Sequence, residues 1–223
     1  MASSTRAHSL SALQRELLDR FFAREQSFFL SGGAALVGFY LGHRTTSDLD
    51  LFTAEPAAWE RAPFLLGTIA REVGAVVETK QDAPDFRRQL VSRPDEAVLV
   101  DLVFDRSPPL VFPKPARGDI RLDPPEEILA NKLTTLVSRS EERDLVDVMC
   151  LERAGYRVED ALGGALSKDG GCTPGQLAYV LDQITIPAEA QLPGDIPPAE
   201  LRHYLADLIA RLQRAAHPVP GTR

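Results

Sequence analysis

A glycine pair, followed at about one helix's length by two aspartates in a short strand, constrains this chain more than any other stretch. The segment reads Ser31-Gly32-Gly33, then a helical run, then Arg44-Thr45-Thr46-Ser47-Asp48-Leu49-Asp50-Leu51-Phe52. Alternate side chains of a strand share a face, so Asp48 and Asp50 point the same way. Leu49, Leu51 and Phe52 anchor the strand in a core. Two carboxylates side by side there repel each other and lose solvation. A divalent cation relieves both costs, and Mg²⁺ is commonly held by one or two carboxylates together with substrate phosphates. A glycine turn that opens a helix offers backbone N–H groups to phosphate. The combination implies chemistry on a nucleoside triphosphate. The plainer alternative is a solvated edge strand that alternates acid and apolar residues.

Around this segment the apolar spacing predicts a helix over 10–23, a strand over 28–31, a helix over 34–41 and a strand over 48–53. A helix over 57–73, ended by Gly74, leads into strands at 75–79, 86–92 and 97–104. Alternating helices and strands that give way to consecutive strands imply a mixed sheet with helices packed on it. Ser107-Pro108-Pro109, continued through Pro113 and Pro115, reads as an extended connector. Helices are expected beyond it over 124–138, 141–154, 158–167, 174–183 and 198–215. The first opens at Asp123-Pro124-Pro125-Glu126, with Asp123 as N-cap. The expected class is α+β, with a sheet domain over 1–118 and a helical domain over 119–223.

An apolar fraction of 44% and a charged fraction of 26% are ordinary for a globular chain. No run approaches the ~18 apolar residues of a membrane helix. Residues 1–10 carry no apolar core of a secretory signal. Cys150 and Cys172 stand in no metal or redox spacing, which fits a reduced, cytoplasmic protein. A net charge of −7 argues against a general nucleic-acid coat protein. Arg87, Arg88 and Arg93 read either as a basic strip for RNA or as a solvated face. The tail over 217–223 reads as frayed.

Three further positions carry chemistry. Asp101 interrupts the apolar run Val98-Leu99-Val100-Asp101-Leu102-Val103-Phe104, where an unpaired acid would cost several kcal/mol. Either the strand end emerges at the surface, or Asp101 joins Asp48 and Asp50 in a three-acid site able to hold two Mg²⁺ ions. Lys132 lies on or beside the apolar stripe of its helix. It either snorkels to water or directs its charge at triphosphate. Asp144 and Asp147 share a face of the next, strongly apolar helix. Arg143 and Asp147 stand four apart and either pair or act on an acceptor hydroxyl, with Asp147 as general base.

Together these residues resemble the nucleotidyltransferase superfamily that includes DNA polymerase beta, and within it the AbiEii/AbiGii toxin family of abortive-infection and toxin–antitoxin systems. The first motif of that family resembles Gly32-Gly33 followed by Arg44-x-Thr46-x-Asp48-x-Asp50-Leu51; the others resemble Asp101, Lys132 and Arg143-Asp144-Leu145-Val146-Asp147. The likeness runs from residue 28 to about 151. It implies a nucleotidyltransferase-like mixed sheet followed by a C-terminal helical bundle. It also implies an NTP substrate, with Mg²⁺ (or Mn²⁺) on Asp48, Asp50 and Asp101. Ser31, Gly32, Gly33, Arg44 and Lys132 would bind nucleotide phosphates, and Asp147 would serve as acceptor-side base. Family members that modify tRNA 3′ ends imply tRNA as acceptor. A cognate antitoxin is implied as partner, with Thr46 or Ser47 as phosphorylation positions. The chain departs from the pattern at Gly33, where the superfamily's form has serine, and at Ala34, commonly Thr or Ser. Three other readings remain at this point: a small-molecule or protein acceptor, a non-catalytic nucleotide- or RNA-binding partner, and an Asp-x-Asp phosphohydrolase. The polar approach Arg44-Thr45-Thr46-Ser47 disfavours the last. The motifs place Asp48 and Asp50 on a sheet wall, with Lys132 and Asp147 expected to face them from the helical part.

Overall fold

The computed structural model describes residues 10–217. The residues before Leu10, and the expected frayed tail from 218 on, lie outside the described residues. The chain divides into two compact units that meet in sequence at Pro124 and Pro125.

The first unit begins with α1 (Ala12–Phe22). Ser11 and Gln14 form a reciprocal capping box at its start. Then follow β1 (Phe29–Ser31), α2 (Gly32–Ala35), β2 (Asp48–Thr53), α3 (Pro56–Glu72), β3 (Val76–Ala83), β4 (Phe86–Arg93) and β5 (Glu96–Phe104). The five strands form one mixed sheet in the order β1-β2-β5-β4-β3. β2 pairs with β5 in parallel, and the other pairings are antiparallel.

Strand alternation sorts the sheet into two faces. Leu49, Leu51, Val98, Val100 and Leu102 are buried and share one face. Leu13, Leu17, Phe21, Trp59, Leu66 and Ile69 of α1 and α3 are buried with them. Each such side chain contributes about 1.5–3 kcal/mol by leaving water. The opposite face carries Asp48, Asp50, Asp101 and Arg88.

Two segments differ from expectation. The helix expected over 34–41 starts at Gly32 and widens into a π-helical turn over Leu36–Tyr40. Its last bond spans five residues, from the Leu41 N–H to the Leu36 carbonyl at 2.7 Å. Beyond the expected extended connector, where only helices are expected, lies a small hairpin, β6 (Ala116–Arg117) and β7 (Ile120–Arg121), turned at Gly118 with φ 59°. Just beyond it Leu122 bridges to Leu30, and the Asp123 N–H donates to the Leu30 carbonyl at 2.9 Å. This covers the outer edge of β1.

The second unit is helical among its described residues: α4 (Pro125–Arg139), α5 (Glu142–Arg153), α6 (Val158–Lys168), α7 (Pro174–Asp182) and α8 (Pro198–Ala216). Ile128, Leu133, Leu136, Val148, Leu151, Leu177 and Leu208 are buried in it. Glu152 of α5 accepts from Tyr204 and Arg211 of α8. The class is therefore α+β, a mixed sheet with flanking helices followed by helices alone. No helix of the described residues is long and apolar enough to cross a membrane.

Candidate active site

The site is written by register. Ser31 of β1 partners Asp50 of β2, Asp50 partners Asp101 of β5, and Asp101 partners Arg88 of β4. These four side chains form one row across four strands on the face away from α1 and α3. The next row is Phe29, Phe52, Val103 and Phe86. The rings of Phe29 and Phe52 stack with centroids 5.7 Å apart.

The glycine pair is demanded by close approach. Gly32 turns the chain out of β1 at φ 63°, a left-handed conformation costly for other residues. A Cβ on Gly32 would lie 2.1 Å from Oδ2 of Asp50, and one on Gly33 would lie 2.7 Å from Nη2 of Arg44. Bare backbone thus lies directly beneath the Asp50 carboxylate. The same Gly33 Cβ would reach Thr46 Oγ1 at 3.4 Å, so Gly33, Arg44 and Thr46 converge.

The approach to Asp48 is held by local bonds. The Asp48 N–H donates to Thr46 Oγ1 at 3.5 Å, and the Ser47 hydroxyl donates to Asp48 Oδ1 at 2.6 Å. Gln14 Nε2 donates to the Thr46 carbonyl at 3.0 Å, which ties this loop to α1. Ser31 is turned elsewhere: its hydroxyl donates to Asp123 Oδ2 at 2.7 Å, and Asp123 Oδ1 lies 2.7 Å from Lys114 Nζ. Asp123, expected as a helix N-cap, therefore anchors the end of β1 through Ser31. The helix begins at Pro125 instead.

Asp101 is 5% exposed and lies in mid-strand rather than at an emerging end. Arg88 clasps it with both arms, Nε to Oδ1 at 2.8 Å and Nη2 to Oδ2 at 2.6 Å. The hydrogen bond to Asp101 pushes the Arg88 pKa up, and the charges of Asp101, Asp48 and Asp50 add to it. The expected three-acid metal set differs from this arrangement because a guanidinium spans the third acid. Among the described residues no group of three or more His, Cys, Asp or Glu is set to hold a metal. Asp48 and Asp50 still fit a divalent ion that takes its remaining ligands from substrate phosphates and water. They share one face, and the Asp50 carboxylate lies against the bare backbone of Gly32.

Of the expected basic strip, Arg87 pairs with Asp82 and Arg93 with Glu96 and Glu16. Sequence reasoning missed the partners of these arginines. The signal was the β4–β5 hairpin: a turn at Pro94-Asp95 pairs Arg93 with Glu96, and counting back brings Arg88 to Asp101.

In the second unit, Lys132 neither snorkels nor stands alone. Its Nζ lies 2.6 Å from Asp144 Oδ1 and 2.7 Å from Asp147 Oδ2. Both aspartates are fully buried, and Arg139 Nε donates to Asp144 Oδ2 at 3.1 Å. Burial opposes the Lys132 ammonium, but Asp147 and Asp144 outweigh it and hold its pKa above the usual lysine value. Arg143 Nε lies 2.6 Å from Glu141. The structure thus gathers Ser31, Gly32, Gly33, Arg44, Thr46, Ser47, Asp48, Asp50 and Asp101 in the first unit, and Lys132 and Asp147 in the second.

A family model described as "Nucleotidyl transferase AbiEii toxin, Type IV TA system" matches residues 16–217. The match continues well past residue 151, where the recognisable motifs end. No curated protein matches the chain significantly. Among solved structures, a proposed nucleotidyltransferase from H. pylori is similar with a TM-score of 0.60 at 18% identity, covering 94% of this chain and 96% of its own. JHP933 from Helicobacter pylori is similar with a TM-score of 0.55 at 19% identity, covering 94% and 97%. At these identities the likeness is one of fold.

Proposed function

Because the chain belongs to the AbiEii nucleotidyltransferase toxin family of type IV toxin–antitoxin systems, we propose that it moves NMP from an NTP to the 3′ end of tRNA, using Mg²⁺ or Mn²⁺. The observation that carries this reading is the seating of Asp50 over the bare backbone of Gly32, with Asp48 on the same sheet face. That arrangement sets carboxylates beside a turn whose N–H groups suit phosphate. Gly32, Gly33 and Arg44 hold the phosphates, and Asp48 and Asp50 hold the divalent ion. When bound, that ion supplies charge stabilisation to the phosphates. The acceptor oxygen attacks the α-phosphorus, the bond to the bridging oxygen breaks, and pyrophosphate leaves as the acceptor releases its proton. The protein contributes mainly positioning and preorganised charge.

Lys132 as a phosphate contact and Asp147 as acceptor-side base belong to the same proposal, and each role requires their buried pair to open. The net charge of −7 favours a second reading, in which the acceptor is a small molecule or a protein hydroxyl. Regulation at Ser47 has a direct physical effect: a phosphate there adds about −1.5 to −2 charges beside Asp48, already bonded to the Ser47 hydroxyl at 2.6 Å. Thr46, next to Gly33, is the alternative position. A cognate antitoxin is the expected partner of such a toxin.

The test incubates the protein with each labelled NTP, Mg²⁺ and, separately, total RNA, total protein or an aminoglycoside. Label on RNA that is removed by 3′ exonuclease supports the tRNA reading. Label on protein or on the aminoglycoside supports the second reading. Asp48→Asn and Asp50→Asn are expected to lose transfer by about 10³-fold or more. Full transfer by both variants overturns the site.

A further inference from the structure

Asp101 is flanked in register by an acid on one side and a cation on the other, Asp50 on β2 and Arg88 on β4. Neighbouring strands bring such partners within about 5 Å. Arg88 meets Asp101 as a bidentate fork at 2.8 and 2.6 Å, the strong form of an arginine–carboxylate pair. The Asp101 side chain is 7% exposed, against 38% for that of Arg88. The fork therefore covers a buried acid from the open side. The hairpin fixes this placement, because its register runs unbroken from Arg93–Glu96 at the turn to Phe86–Val103 at the far end. A divalent cation on Asp48 and Asp50 would stand on the same face as this guanidinium. Two cations directed at one acid cluster oppose each other.

We infer that Arg88 is a positioning residue that competes with the divalent cation for the acid cluster, withholding Asp101 and weakening metal binding in the nucleotide-free protein. The inference rests on the reading of Asp48 and Asp50 as metal ligands. Its functional consequence is a site that holds metal firmly only when triphosphate adds its own negative charge. The metal is then recruited with the substrate rather than ahead of it.

The test measures Mn²⁺ affinity of the nucleotide-free, full-length chain by electron paramagnetic resonance of the free ion. Arg88→Gln is expected to tighten Mn²⁺ binding by about tenfold. Arg88→Lys keeps the charge but cannot span both oxygens, and its affinity is expected between the two. Adding Asp101→Asn to Arg88→Gln is expected to remove the gain. Structural damage weakens a metal site, so a gain in affinity separates competition from misfolding. Unchanged or weaker Mn²⁺ binding in Arg88→Gln, with a wild-type circular dichroism spectrum, overturns the inference. If Arg88→Gln fails to fold, Arg88→Lys decides in its place, and unchanged affinity there overturns the inference too. Asp48→Asn and Asp50→Asn identify which idea has failed. If both leave wild-type Mn²⁺ binding intact, the metal reading itself falls and takes this inference with it.

Discussion

Gly32→Ala separates backbone strain from displacement of the Asp50 carboxylate. At φ 63° an alanine pays about 1–2 kcal/mol for the left-handed conformation. The added Cβ would stand 2.1 Å from Oδ2 of Asp50, and ordinary contact begins at 3.4 Å, so the oxygen must withdraw by about 1.3 Å. A misplacement of about 1 Å in a reacting constellation costs about 10²-fold in rate. Gly74→Ala is the matched control: Gly74 has φ 68°, and nothing lies within 4 Å of the point where an alanine methyl would stand. Both variants are expected to lose about 1–2 kcal/mol of stability, read as a drop in melting temperature of roughly 2–4 °C per kcal/mol. Gly32→Ala alone is expected to lose nucleotidyl transfer, measured as pyrophosphate release, by about 10²-fold. Transfer within about threefold of wild type in Gly32→Ala, or an equal loss in Gly74→Ala, would refute the reasoning.

Two further outcomes concern the helical unit. Lys132→Met leaves Asp144 and Asp147 buried without the ammonium between them. Denaturant unfolding at neutral pH is expected to show a loss of about 3–5 kcal/mol; wild-type stability at pH 7 would contradict the buried triad. Burial raises the Glu152 pKa, but hydrogen bonds from Arg211, Tyr204 and the Val158 N–H outweigh it, and the folded value lies below the usual one. A carboxylate depressed on folding stabilises the protein above its unfolded pKa of about 4.3 and loses that contribution as pH falls through the folded value. The denaturation midpoint should hold from pH 8 to 5 and fall below about pH 4, with a smaller fall in Glu152→Gln; equal falls would place the effect elsewhere.

The sheet was legible where hydrophobic alternation was strong. The strand expected over 48–53 is β2, Asp48–Thr53, because Leu49 and Leu51 alternate with Asp48 and Asp50. β3 runs to Ala83, past the expected end at 79, and most of its residues are exposed. Glu78, Thr79, Lys80 and Gln81 carry no apolar signal; pairing with β4 rather than burial holds Glu78, Thr79 and Gln81 in the strand, and Lys80 falls where the register shifts. The face shared by Asp48 and Asp50 follows from strand period alone. The seating of Asp50 over Gly32 does not, since it depends on the β1–β2 register and on the turn out of β1. Arg88 was hidden for a different reason. Its role requires a hairpin register, and a reading of each arginine by its local neighbours never pairs strands.

The residues that carry the family likeness meet two different physical demands. On the sheet, Asp48 and Asp50 stand half-exposed beside backbone that has no side chain to interfere. A substitution there changes what the site can bind more than whether the chain folds. In the helices, Lys132, Asp144 and Asp147 form a buried ionic cluster, and removing Lys132 takes the shared cation from two buried carboxylates. Loss of activity therefore means different things in the two units. In Asp48→Asn it speaks to the site directly. In Lys132→Met the same loss follows from unfolding alone, and it speaks to phosphate binding only when the variant is assayed below the denaturant or temperature at which it melts. Because Asp48 and Asp50 are only partly buried and Lys132 is buried, activity alone assigns the acid pair, whereas the lysine is assigned by activity measured at matched stability.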